Sequence, residues 1–218
     1  MNNRFNPLGN EIVLDLDSIR DILINDKYTA DELFYLRDLK QRKLFLNDGI
    51  DQSSVLSIVR NIMQFNADDK EIPVEERTPI ILYLVSEGGE VDSGFELIDV
   101  IQSSKTPVYT VNLGYWYSMG FLIGIAGHKR FATKNSKILI HDGSTCVYNS
   151  GAKAQDQMRF QAKADERIKN YVLSRSKITS DDYDQQFRSE WYLFANEAKE
   201  KGFVDYIIGE DCEIDEVI

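Results

Sequence analysis

Three short stretches of this chain hold residues whose types and positions could do chemistry. There are two histidines, His128 and His141. His128 sits in the basic turn Gly127-His128-Lys129-Arg130 and reads as a solvated loop residue. His141 ends the apolar run Ile138-Leu139-Ile140 and is followed by Asp142-Gly143-Ser144. The end of a buried strand is rigid and opens onto a cleft, a good place for a working imidazole. Ser118 lies in Gly114-Tyr115-Trp116-Tyr117-Ser118-Met119-Gly120, between an apolar strand and the apolar run Phe121-Leu122-Ile123-Gly124-Ile125-Ala126. A serine at a helix start sits among unpaired N–H groups and the positive end of the helix dipole. Both an alkoxide and the oxyanion it generates would be stabilised there. The plainer reading is an N-cap serine. The third stretch is Ser86-Glu87-Gly88-Gly89-Glu90-Val91. Adjacent glycines let the backbone approach a ligand closely; the plainer reading is a flexible turn.

The elements that must position these residues can be read from periodicity. Thr29-Ala30-Asp31-Glu32 is a capping box that opens a helix to about Gln41. Lys43–Leu46 is a short strand, and Asp51 caps a helix whose apolar face is Val55, Ile58, Val59 and Ile62. Residues 66–79 form an acidic loop. The unbroken apolar run Ile80–Val85 marks a strand buried on both faces. A helix over Val91–Ser103, a strand over Pro107–Leu113 and a helix over Ser118–Ala126 follow. Strand and helix alternating at this spacing predict parallel crossover units and an α/β fold. Two short strands end at His141. After a polar loop at 142–151, Ala152–Arg175 reads as one helix with sparse apolar positions: Met158, Phe160, Ala164, Ile168, Tyr171 and Val172. Its length, about 36 Å, suits a projecting element that packs on another subunit better than a helix lying over the sheet. Shorter helices near Asp181–Arg188 and Asn196–Lys201 and a strand near Val204–Ile207 complete the pattern. Residues 1–28 are read as an N-terminal extension with a short element near Ile12–Ile24, 29–209 as the domain, and 210–218 as an acidic, solvated tail.

Composition narrows the function. The chain has 218 residues, 43% hydrophobic and 28% charged, as a globular protein does. With 36 acids against 25 bases the net charge is -11, which repels phosphate backbones and argues against nucleic-acid binding. Cys146 and Cys212 lack metal-ligand spacing, so a disulfide framework or zinc site is not expected and a reducing compartment is. Neither a metal nor another cofactor is expected. The uncharged stretch Thr106–Gly127 is long enough for a bilayer, but Pro107, Asn112, Ser118 and its glycines favour strand, loop and helix. The N-terminus shows no signal peptide.

Taken in order, these motifs resemble the Clp proteolytic subunit family, ClpP, from about Lys43 to Ile208. Ser86-Glu87-Gly88-Gly89 resembles the family's Ser-Pro-Gly-Gly turn, and Tyr117-Ser118-Met119-Gly120 its nucleophile segment. Lys129-Arg130-Phe131-Ala132-Thr133-Lys134-Asn135 is similar to its hairpin, Leu139-Ile140-His141 to its Met-Ile-His segment, and Glu197-Ala198 through Gly202 to Asp205 to its closing motif. The resemblance implies a divergent member, a viral source being one reading. It implies the ClpP/crotonase-like fold, a repeated β-β-α superhelix with a long handle helix. It further implies a cytoplasmic serine endopeptidase with Ser118 as nucleophile, His141 as general base, and the N–H groups of Gly89 and Met119 as the oxyanion hole. Implied partners are its own copies, in two stacked heptameric rings (a tetradecamer), a hexameric ATP-driven AAA+ unfoldase of the ClpX, ClpA or ClpC kind, and unfolded polypeptides. Tyr83 matches a position lining the family's unfoldase-docking pocket.

The departures are local. Glu87 stands where the family has proline, and the segment from His141 to Glu197 is short. Counting back from Glu197-Ala198 puts Gln186 at the family's histidine-orienting aspartate, with Asp184 and Glu190 as the nearby carboxylates; the choice among the three stays open. Two other readings compete: a weakly active or inactive ClpP-like structural subunit of a mixed complex, and an acyl-CoA enzyme of the related crotonase fold. The acidic composition fits the latter poorly.

Overall fold

The computed structural model describes residues 29–143, 147–186 and 189–217. The expected element near Ile12–Ile24 lies outside them. The chain divides into two compact units, residues 1–43 and 44–218. In the first, helix α1 (Ala30–Lys40) starts at Thr29, whose hydroxyl accepts the Glu32 N–H while the Glu32 carboxylate accepts the Thr29 N–H, the expected capping box.

The second unit is a mixed α/β structure around a mainly parallel sheet. In chain order its elements are β1 (Lys43–Leu46, beginning at the unit boundary), α2 (Gln52–Asp68), β2 (Ile80–Ser86), α3 (Val91–Ser103), β3 (Val108–Tyr117) and α4 (Met119–Gly124). Then come β4 (Lys129–Thr133), β5 (Lys137–Ile140), α5 (Gly151–Ser174), α6 (Ser180–Gln186), β6 (Trp191–Phe194), α7 (Ala195–Glu200) and β7 (Tyr206–Ile208). The strand order is β1-β2-β3-β4-β7, with β5 paired to the far end of β3 and β6 to β5. β3 is long enough to serve two partners. Tyr109–Asn112 pairs with β4 and Tyr115–Tyr117 with β5. The pairs β2–β3, β3–β4, β3–β5 and β4–β7 are parallel, and β5–β6 is antiparallel.

The core forms where the periodicities meet. Val55, Ile58, Val59 and Ile62 of α2, Leu97, Ile98 and Ile101 of α3, Ile80, Leu82 and Leu84 of β2, and Val108 of β3 are buried. α4 is buried along its whole length, so its polar N-terminal neighbour, Ser118, is held by apolar packing rather than by surface chemistry. Trp116, with no exposed surface, donates its indole N–H to the Leu84 carbonyl at 3.0 Å and ties β3 to β2 just before the serine. Gly124 is required beneath it: a Cβ there would lie 2.3 Å from the indole ring. Arg130 closes the other end, bonding both Asp205 oxygens and the carbonyls of Arg175 and Gly202.

Two expectations change and a third holds. A strand, β6, occupies Trp191–Phe194, where none was read. The segment 210–216 exposes its charged side chains but is not free. Asp211 accepts the Ile207 N–H, and Val217, 2% exposed, packs on Tyr83, Val111 and Phe131 with its carbonyl accepting the Tyr83 hydroxyl. The uncharged stretch Thr106–Gly127 is β3 and α4, and among the described residues no helix is long and apolar enough to cross a membrane.

Candidate active site

Ser118 joins β3 to α4 in a backbone conformation few residues adopt, φ 53° and ψ -119°. A non-glycine residue at positive φ costs on the order of 1–3 kcal/mol, and such strain persists only where the surroundings impose it. Here they do. The Ser118 N–H donates to the Leu139 carbonyl at 3.0 Å, its carbonyl accepts from Phe121 and Leu122, and α4 is packed beyond it. The hydroxyl makes no capping hydrogen bond to α4. The plain N-cap reading therefore fails: the serine sits at a strained strand-to-helix turn with its hydroxyl not used as a cap, a setting like the turn that presents a nucleophile in hydrolases.

The glycine pair lies against that turn. Gly88 has φ 98°, and a Cβ on it would stand 2.8 Å from the Ser118 Cβ, the Met119 nitrogen and the Tyr117 oxygen. Gly89 forms a parallel bridge with Ile50 whose two bonds run from Ile50 N–H to Gly88 and from Glu90 N–H to Ile50, at 2.8 and 2.7 Å. Gly89's own N–H takes no part in that bridge and points away from Ile50. Met119 is the first residue of α4, where an N–H has no acceptor within the helix. Ser86 fixes the turn from below, donating to the Asp48 carbonyl and accepting the Gly88 N–H.

His141 and Ser118 line one small cavity of about 80 Å³, with Met119 at its floor and Gln161, Asp165 and Ile168 of α5 on its wall. The Nε2 of His141 is buried and has no hydrogen-bond partner in the structure. Its Nδ1 faces Glu190 Oε1 at 3.3 Å. The ladder explains why. β5 and β6 pair Leu139 with Tyr192 and Ile140 with Trp191, so one step further brings His141 opposite Glu190. The carboxylate is 58% exposed, and such a pair adds little to stability; what it fixes is the ring's orientation. Of the other two candidates, the Asp184 carboxylate is engaged elsewhere. Asp184 holds Lys169 at 2.6 Å, and Gln186 ends α6 with its carbonyl accepting from Ser189. Counting along the sequence could not find this meeting of His141 and Glu190, because it could not see β6. Its signal was present in the β-prone run Trp191-Tyr192-Leu193-Phe194.

A larger cavity, about 650 Å³, lies elsewhere, among His128, Arg130, Arg175 and Lys177. It holds no nucleophile–base pair: Ser174 and Ser176 bond back into α5, and His128 Nδ1 is occupied by the Val108 N–H at 3.1 Å. Among the described residues no three His, Cys, Asp or Glu side chains gather as a metal-ligand set. Tyr83 is 6% exposed, stacked on Phe45 at 4.7 Å and covered by Val217.

Comparison with known proteins identifies the family. The family model described as Clp protease matches residues 27–211. A similar protein is the ATP-dependent Clp protease proteolytic subunit 2 of Treponema pallidum (strain Nichols). It is 27% identical over 188 residues, covering 85% of this chain and 92% of that protein.

Proposed function

The chain belongs to the Clp protease family, and from that footing we propose that it is a serine endopeptidase acting through Ser118, His141 and Glu190. The observation that carries the reading is the state of the three side chains. The Ser118 hydroxyl is not used by its helix, His141 Nε2 is unpartnered on the wall of the same cavity, and Glu190 meets the opposite ring nitrogen. Ser118 Oγ attacks the peptide carbonyl while His141 Nε2 takes its proton and then returns it to the leaving amine. Glu190 accepts the Nδ1 proton, which selects the tautomer with a free Nε2 and stabilises the imidazolium. The N–H groups of Gly89 and Met119 receive the oxyanion.

Helix α5 supports assembly into two stacked seven-membered rings. From Gly151 to Phe160 none of its side chains is buried, and Met158 and Phe160 are 55% and 73% exposed. A stretch of helix with no packed face is marginal alone, so a second copy is its natural cover. The proposed substrates are unfolded polypeptides delivered by an AAA+ unfoldase in the cytoplasm. Tyr83, the residue the resemblance places in the docking pocket, lies beneath Val217, so an incoming loop there meets the chain's own C-terminal segment first.

A fluorophosphonate probe tests the reading. Ser118 should be labelled. Ser118→Ala should remove both labelling and hydrolysis of a fluorogenic peptide, by several orders of magnitude, without changing the fold. Undiminished cleavage by the variant sinks the assignment. An unlabelled wild-type protein that still assembles supports the second reading, a structural subunit of low activity, which the exposure of Glu190 favours.

A further inference from the structure

Two residues beyond Glu190 on β6, Tyr192 leaves the strand on the same face. Its hydroxyl donates to Glu190 Oε2 at 3.0 Å, while Oε1 of the same carboxylate stands 3.3 Å from His141 Nδ1. Each carboxylate oxygen therefore has its own partner, one imidazole and one phenol. The phenol ring is held in turn. Tyr192 pairs with Leu139 across β5–β6, and Leu139 pairs with Tyr117 across β3–β5, so the three form one row over three strands. The outer two touch edge to face, with centroids 6.0 Å apart at 88°. Tyr117 directly precedes Ser118. A chain of contacts thus runs from the backbone at the nucleophile, through two tyrosine rings, to the carboxylate beside the base.

The physical need for such an anchor is plain. A glutamate has one more rotatable bond than an aspartate, and this one is more than half exposed, so water competes for its oxygens. A second, fixed hydrogen bond selects the rotamers that keep Oε1 on the histidine. The bond to Glu190 also raises the phenol's pKa above the ordinary tyrosine range, as expected when a carboxylate accepts its proton.

We propose that Tyr192 is a positioning residue for peptide hydrolysis, its hydroxyl clamping Glu190 so that the carboxylate orients His141 toward Ser118. This rests on the triad reading above and assigns that triad a fourth, exposed member on β6.

The test is a double-mutant cycle on the full-length protein with a fluorogenic peptide, using Tyr192→Phe, Glu190→Gln and the pair. Phenylalanine keeps the ring and its contact with Tyr117. Tyr192→Phe should lower kcat by roughly 3- to 10-fold, the loss of one charge-assisted hydrogen bond in a solvated setting, with KM within about twofold because the effect falls on the transition state. In the Glu190→Gln background the same change should cost less than about twofold. Tyrosine-selective ¹³C NMR adds a readout that needs no turnover: the Tyr192 signal, assigned by its loss in Tyr192→Phe, should titrate above the ordinary range and move back toward it in Glu190→Gln. Wild-type kcat in Tyr192→Phe beside an impaired Glu190→Gln overturns the role of Tyr192 and leaves the triad standing. An unimpaired Glu190→Gln overturns the triad reading itself. Equal losses from Tyr192→Phe in both backgrounds, or a rise in KM alone, mean that the hydroxyl acts without Glu190 and overturn the proposal.

Discussion

The turn at Ser118 and the first half of helix α5 are built on opposite terms. Around Ser118 the chain has almost no freedom. Gly88, Met119 and Gly120 are buried, Gly88 approaches Ser118 so closely that a methyl group would not fit, and a Cβ on Gly120 would stand 2.8 Å from the Ser86 oxygen. In α5, residues 155–160 are all exposed, and Val172 is the one buried residue among the 24 of the helix. The difference separates two jobs. Geometry for chemistry comes from packing inside one copy, where strain can be imposed and kept. Under the proposed assembly, geometry for the contact between copies is left unfinished in one copy, for a partner to complete. The two regions meet where the second half of α5 walls the cavity through Gln161, Asp165 and Ile168.

The largest expected effect comes from breaking the rigid half. Gly88→Ala places a Cβ at a positive φ, costing ~1–3 kcal/mol in backbone strain, and drives it into the Ser118 Cβ and the Met119 nitrogen. A displacement of about 1 Å at the nucleophile is enough to cost on the order of 10²-fold in kcat. Hydrolysis and probe labelling should both fall by at least that much while circular dichroism shows the fold retained. A fully active, folded Gly88→Ala would mean that the glycine turn is not fitted to the serine.

Breaking the other half should act at a distance. Ala164→Pro puts a proline in mid-helix, a loss of ~3 kcal/mol or more, and should dissociate the assembly seen by sedimentation. Phe160→Ser is the sharper version. Phe160 is 73% exposed, so one copy loses no packing and its melting temperature as a dissociated monomer should be unchanged, while the assembly weakens. Peptide hydrolysis should fall in step with dissociation in both variants, since α5 also shapes the cavity wall. Intact rings of Phe160→Ser at wild-type strength would remove this helix from the contact between copies.

How far the sequence showed these regions follows the same division. β2 and α2 were readable because their patterns are local: an unbroken apolar run, and Val55, Ile58, Val59 and Ile62 at helical spacing. α5 was readable within one residue at each end, since nothing in it breaks a helix. Ser118 was legible by position, at a strand-to-helix change, but its backbone angles were not, because they are imposed by Leu139, Gly88 and α4. Glu190 was the hardest. Its meeting with His141 depends on an antiparallel pairing across about 50 residues of chain, a non-local event that a count along the sequence cannot see, so Gln186, Asp184 and Glu190 stayed open. The C-terminal segment erred in the other direction: its acids suggested solvation, while Val217 and Cys212 pack on the apolar cluster at Tyr83 and Asp211 holds the Ile207 N–H.

The smallest expected effect concerns the second histidine, which the comparison assigns to neither region. His128 is exposed on one edge, while its Nδ1 accepts the Val108 N–H at 3.1 Å. Desolvation against that strand, with Arg175 nearby, lowers its pKa below the ordinary value, and its backbone hydrogen bonding only partly offsets this. The unfolded chain, where a histidine titrates near ~6.5, therefore binds the proton more readily than the folded one. It follows that the contribution of His128 to stability is present above about pH 6.5 and is lost as the pH falls through the lower, folded value. Urea denaturation at pH 7.5 and 5.5 should show the wild type losing slightly more stability than His128→Asn, whose side-chain oxygen can accept the same N–H without titrating. The difference should be small because the ring is solvated on one side. A wild type that gains stability on acidification relative to the variant would reverse the sign and place the proton on the folded ring instead.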